Sequence, residues 1–180
     1  MKKIIFFLVT FLLLTVCTSK VKAQSGNNAQ PSYKDMIGEN TNAEADLKVV
    51  SDFVNSLTSG DLVKAKSLLA DNYKGHGPAP TDSSTVEQTM STWQENYKTQ
   101  SDRKIGFVTE TFRVLQGDLQ GDWVSLWGDY TFTQSGKTIT FPLQYTAHVA
   151  NGKIDRDGVY YDRLYIVQSL GYTLTPPATK

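Results

Sequence analysis

Two side chains in this sequence carry proton-transfer chemistry in a setting that would sharpen it, Asp162 and His76. With Ile154 taken as core-facing after the Asn151-Gly152 turn, a period of two puts Ile154, Arg156, Gly158, Tyr160 and Asp162 on one face of the last strand. A carboxylate aimed into a space walled by aromatic rings loses hydration. Its pKa then rises toward the range useful for a general acid or base. Read structurally, the same Asp162 pairs with Arg156 or Arg163, or caps the turn that follows it. His76 stands between Gly75 and Gly77, where the backbone can approach a ligand closely, and imidazole exchanges protons near neutrality. Its structural reading is a surface residue or a helix-end hydrogen bonder. Asp71 and Tyr73 precede it, Tyr73 with a ring to bury and a polar tip to turn toward a cavity.

Other constellations are missing from the sequence. There is no His-x-x-x-His, no run of carboxylates at calcium-loop spacing and no glycine-rich phosphate cradle. Ser83-Ser84 lacks a nucleophile elbow. The expectation is a site without metal or cofactor.

The elements that would position these groups follow from periodicity. Leu47, Val50, Phe53, Val54 and Leu57 define an amphipathic helix from about Ala43 to Thr58. Ser59-Gly60-Asp61 ends it and starts a short second helix reaching about Ala70. Gly75 to Pro80 reads as a loop. Ser84 and Glu87 form a capping box for a third helix, striped by Val86, Met90, Trp93 and Tyr97. Core packing is the first role of Met90 and Trp93, with pocket lining as a corollary.

From Ile105 onward the chain alternates. The strands Asp122–Thr133, Lys137–Ala150 and Lys153 to about Tyr165 are separated by Ser135-Gly136 and Asn151-Gly152, which are hairpin signals. Val124, Leu126, Tyr130 and Phe132 share a face with Ile139, Phe141, Leu143, Tyr145, Ala147 and Val149. The opposite face holds Trp123 and Trp127, an apolar patch of the kind that marks a contact surface, here a homodimer interface; packing of Trp123 on its strand neighbours is the plainer reading. The class is α+β, with three N-terminal helices laid on a mainly antiparallel sheet.

The N-terminus has its own logic. Lys2-Lys3, the apolar run Ile4 to Val16 and Val21-Lys22-Ala23 make the pattern of a secretory signal peptide over residues 1–23. That run falls short of the ~20 residues needed to span a bilayer. Cys17 is the single cysteine, and its reading as a lipid-anchor site is the lesser one because Val16 precedes it. Losing Lys2, Lys3, Lys20 and Lys22 tips a chain with 18 basic and 18 acidic side chains to net acidic. Such a chain has no electrostatic footprint for nucleic acid. Residues 24–42 read as a flexible polar leader, 43–172 as the domain and 173–180 as a tail.

The order of the motifs resembles a known group. A Gly60-Asp61 turn, the run Leu68-Leu69-Ala70-Asp71-Asn72-Tyr73, the His76-Gly77-Pro78 loop and the Asn151-Gly152-Lys153-Ile154 hairpin resemble the nuclear transport factor 2-like superfamily. Tyr160-Tyr161-Asp162-Arg163-Leu164 and Gln168-Ser169-Leu170-Gly171 are similar to the ending of its SnoaL-like, polyketide cyclase-like branch. The resemblance implies a cone-shaped fold, its helices against a strongly curved sheet that encloses a pocket. It also implies an outer sheet face used for dimerisation and a cofactor-free acid–base site with Asp162 as the proton-transfer residue. His76 then lies at the pocket mouth, and Tyr73, Met90, Trp93 and Tyr160 are the ligand-binding candidates. Gly158 stands where relatives often carry a bulky aromatic, which would widen the cavity.

Three functions fit these expectations. The first is an exported enzyme of cyclase, isomerase, dehydratase or hydrolase type acting on a hydrophobic carbonyl compound. The second is a non-catalytic module that binds an apolar small molecule in the same pocket. The third is an interaction protein that docks through its outer sheet. Fold alone does not choose among them.

Overall fold

The computed structural model describes residues 31–176. The expected signal peptide 1–23, with Cys17, lies outside the described residues, as do residues 24–30 of the expected leader and 177–180 of the expected tail. No described helix is long and apolar enough to cross a membrane.

The first elements are short. Helix α1 (Tyr33–Met36) leads into β1 (Ile37–Gly38), which pairs with the edge of a later strand through Ile37↔Val114 and Gly38↔Arg113. The part of the expected leader that is described is therefore structured. Buried Asn40 ties it down, donating to Asp46 Oδ2 and Thr111 Oγ1 at 2.8 Å each.

Helix α2 (Ala43–Ser59) forms as its spacing dictates: Val50, Phe53, Val54 and Leu57 line its buried face. The Asp61 side chain caps α3 (Leu62–Ser67) by accepting from the Lys64 amide. This helix stops short of the expected Ala70. Leu69 instead opens strand β2 (Leu69–His76), which takes in Gly75 and His76, so the expected loop begins only at Gly77. A short β3 (Ser83–Ser84) pairs back on β2. The capping box of α4 (Val86–Thr99) is one residue later than the Ser84–Glu87 pair suggests: Thr85 and Gln88 make it, which leaves Ser84 on the strand.

Strands β4 (Ser101–Val114), β5 (Gly121–Gln134), β6 (Lys137–Ala150) and β7 (Lys153–Tyr161) follow as an antiparallel meander. Ser135-Gly136 and Asn151-Gly152 turn the last two corners with positive φ at both residues, which matches the right-handed twist of the flanking strands. The expected extension of the last strand to Tyr165 is replaced by helix α5 (Arg163–Leu170). Five helices are thus present among the described residues, against the three expected at the N-terminal end.

The seven strands form one sheet in the order β1-β4-β5-β6-β7-β2-β3, which is not closed into a barrel. All pairings are antiparallel except β2 with β7. The inner face matches the alternation reading, since Val124, Leu126, Tyr130 and Phe132 are buried with Ile139, Phe141, Tyr145, Ala147 and Val149. They pack in two clusters. One is built on α2, β2 and the β7 end of the sheet, the other on Tyr130, Phe132, Ile139 and Phe141.

Candidate functional site

The strand pairing that brings the N-terminal half of the chain to the C-terminal half also builds the site. Parallel pairing sets Gly75 opposite Asp157 and His76 opposite Gly158. Asp157, not Asp162, is the carboxylate turned inward. It is 6% exposed, and its Oδ2 accepts from the Tyr73 hydroxyl and the Tyr145 hydroxyl at 2.7 Å each. Both phenols bond Oδ2, and no side-chain donor among the described residues reaches Oδ1.

Alternation along β7 fails between Ile154 and Asp157. Val149 pairs with Ile154, and the next pair is His148 with Arg156, so Asp155 is an extra residue, a β-bulge. One inserted residue exchanges the faces of everything after it. Asp157, Val159 and Tyr161 consequently line the cavity, while Arg156, Gly158 and Tyr160 face outward. Tyr160, expected to bind ligand, is 61% exposed and does not line this cavity. Asp162 is exposed beyond the end of the strand, where it caps α5 by accepting from the Tyr165 amide at 2.9 Å. This is the capping alternative that its sequence allowed, and it removes Asp162 from the pocket. Arg163 reaches Asp82 instead, at 3.0 Å.

The cavity has a volume of about 390 Å³, the size of a small-molecule site. Phe53, Leu57, Ile105, Tyr130, Phe132, Phe141 and Leu143 give it apolar walls, and α4 contributes Thr89, Thr92, Trp93, Asn96 and Gln100. Trp93 and Tyr73, two of the expected ligand-binding residues, are placed in its lining. Met90 does not; it packs into the core behind.

His76 also lines the cavity but is solvent-exposed, which places it at the rim. Its Nδ1 lies 3.0 Å from the Asp157 carbonyl oxygen. A carbonyl only accepts, so Nδ1 carries hydrogen and Nε2 is the nitrogen free for a ligand. His76 and Asp157 come together, and His76 and Asp162 do not.

Burial pushes the Asp157 carboxyl up to about 6, against the two phenol hydrogen bonds and the backbone and imidazole of His76, which favour the charged form. Burial together with the neighbouring carboxylate raises both Tyr73 and Tyr145, so both stay neutral donors. Tyr73 is held in place by close packing: a Cβ at position 75 would collide with the Tyr73 hydroxyl and lie 2.6 Å from Ser84 Oγ, so a side chain there must push one of them aside. Ser84 in turn bonds Thr89 across 2.9 Å, extending the polar end of the cavity. No group of three or more His, Cys, Asp or Glu side chains suited to a metal occurs among the described residues.

The outer face also differs from expectation in one respect. Trp123 is only 8% exposed, because its indole packs on His148 and Arg156 and donates to the Leu119 carbonyl. Trp127, at 40%, is the exposed one.

The arrangement of helices against one face of a sheet has counterparts among solved structures. A ketosteroid isomerase-like protein from Catenulispora acidiphila, solved with trimethylamine, matches at TM-score 0.57 and 16% identity, over 72% of this chain and 98% of its own. The chain has the nuclear transport factor 2-like fold. IdmH of Streptomyces antibioticus, a proposed polyketide cyclase, matches at TM-score 0.57 and 17% identity, over 71% of this chain and 99% of its own. An epoxide hydrolase-like protein of M. tuberculosis matches at 0.51 and 15%, over 71% and 90%. No protein-family profile and no curated protein matches the sequence.

Proposed function

We propose that this protein is an exported, cofactor-free acid–base enzyme acting on a hydrophobic carbonyl compound, with Asp157 as its proton-transfer group. The observation that carries this reading is the carboxylate itself: buried, lining an apolar cavity, and held on one oxygen by two phenols with no side-chain donor on the other. Near neutral pH it is ionised yet poorly solvated, the state of an effective general base. Oδ1 would take a proton from carbon next to the substrate carbonyl, and His76 Nε2 at the rim would exchange protons with the oxygen or with solvent. The polyketide cyclase and epoxide hydrolase proposed for proteins of the same fold are chemistries of this acid–base kind. Export rests on the signal pattern of residues 1–23.

One observation favours a binding role without turnover. Tyr73 and Tyr145 both spend their only proton on Asp157, so neither is left to stabilise an oxyanion. Solvent-deuterium exchange at the α-carbon of a panel of apolar ketones, followed by NMR with wild type and Asp157→Asn, decides between the two. Exchange that depends on Asp157 supports the enzyme. Ligands that shift the melting temperature but never exchange leave a carrier.

The outer sheet face completes the proposal. Val108, Trp127 and Tyr160 are exposed there, with Glu110 on β4 and Arg156 on β7 at opposite sides. A second copy related by a two-fold axis would cover the apolar residues and bring unlike charges toward each other.

A further inference from the structure

Ile154 and Asp157 both point inward only because Asp155 is bulged out of the β6–β7 ladder. What holds the bulge lies on the outer face. Asp155 Oδ1 is 2.6 Å from His148 Nδ1, and the two side chains are only 25% and 13% exposed. His148 is the β6 residue next to the inserted position, paired with Arg156. Its ring packs on Trp123 at 5.1 Å between centroids, and its Nε2 edge lies against Gly121, where any side chain would collide with it. The Arg156 guanidinium lies over the same indole, 4.9 Å from the ring centroid. The residue in the bulge and the residue after it are therefore each pinned from outside, one by His148 and one by Trp123.

We propose that His148 and Asp155 are a positioning pair for Asp157: by clamping the bulge from the outer face of the sheet, they decide which face of β7 presents its carboxylate to the cavity. Neither residue lines the cavity. The pair acts through register, since loss of a bulge turns every later side chain of the strand to the opposite face. The inference goes beyond the reaction proposed above and does not depend on it, because its readout is the Asp157 carboxyl in the free protein.

The experiment follows the Asp157 carboxyl carbon by NMR across pH in the full mature chain, with urea unfolding measured in parallel. In Asp155→Ala, the carboxyl should become solvated and titrate lower by about one pH unit or more. Asp155→Asn keeps an acceptor for the imidazole N–H and should restore the wild-type titration. A purely structural ion pair would lower stability in Asp155→Ala and leave the Asp157 titration in place, which overturns the proposal. Should Asp155→Ala not fold, His148→Phe keeps the ring on Trp123, drops the hydrogen bond to Asp155 and is read by the same criterion.

Discussion

Tyr73 donates to the Asp157 carboxylate at 2.7 Å across 84 residues of chain, because β2 lies parallel beside β7. The second donor, Tyr145, comes from β6 on the other side of β7. Three adjacent strands therefore supply the charged centre, and its geometry is that of the sheet, more rigid than any loop. The pair also sets the chemistry, since two neutral phenols lower the cost of burying the charge without removing its basicity.

The buried carboxyl makes stability depend on pH. Unfolded, Asp157 ionises near 3.8; folded, near 6. Below the lower value both states are protonated and this contribution to stability is fully present. As pH rises through the interval the unfolded chain releases its proton first, and stability falls by roughly 3 kcal/mol by the time pH passes the folded value. Asp157→Asn lacks this dependence. Urea unfolding at pH 4 and pH 7 should show wild type losing ground to the variant, and parallel behaviour would contradict the burial of this charge.

If Asp157 acts as a base, kcat/KM rises with pH through about 6 and levels above it. Asp157→Asn should cost about 10²–10⁴-fold in rate with binding largely retained. Tyr73→Phe and Tyr145→Phe each delete a hydrogen bond to the charged form and should move the acid limb upward by roughly one pH unit. A limb that stays in place in both variants assigns it to another group.

Gly75→Ala tests the packing over Tyr73. The added methyl must displace the phenol or Ser84, at a cost of about 1–3 kcal/mol for overpacking. The melting temperature should fall, and the pH profile should shift as it does in Tyr73→Phe. A lower melting temperature with an unchanged profile would mean that Ser84 gives way instead.

Asp162→Ala removes a helix cap and no chemistry. About 1 kcal/mol of stability should go with the loss of its bond to the Tyr165 amide, while kcat/KM changes little. A large fall in rate at unchanged stability would return Asp162 to the reaction.

Trp127→Ala addresses the outer face. Sedimentation velocity should report a dimer for wild type and a monomer for the variant, because the substitution removes a large exposed ring from the centre of the proposed contact. A monomer in both cases would leave that face without a second copy.

The sheet was legible in the sequence because two tight turns pin it: Ser135-Gly136 and Asn151-Gly152 lock the register of β5 to β6 and β6 to β7, and the inner faces follow. The capping box lay one residue from the Ser-x-x-Glu pair because Thr85 and Gln88 offer the same chemistry as Ser84 and Glu87. The site carboxylate was missed for a different reason. Alternation carried from Ile154 assumes an unbroken ladder, and a bulge leaves no composition signature. One signal was present: apolar positions change parity from Ile154 to Val159 and Tyr161, which no regular strand with one buried face allows. The parallel β2–β7 pairing had no local cue at all, since it joins segments far apart in the chain. His76 and Tyr73 were reached through their residue types and the resemblance, and the pairing explains why they stand beside Asp157.

The neighbourly position of the first and last long-range partners has a temporal meaning. During synthesis Tyr73 is made well before Tyr145, and Asp157 comes last of the three. Until β7 has docked between β6 and β2 there is no pocket floor and no sheltered acid, only a hairpin meander with an unfilled edge. A chain in which that strand has not docked thus carries no reactive centre, and filling the gap between β6 and β2 arms it.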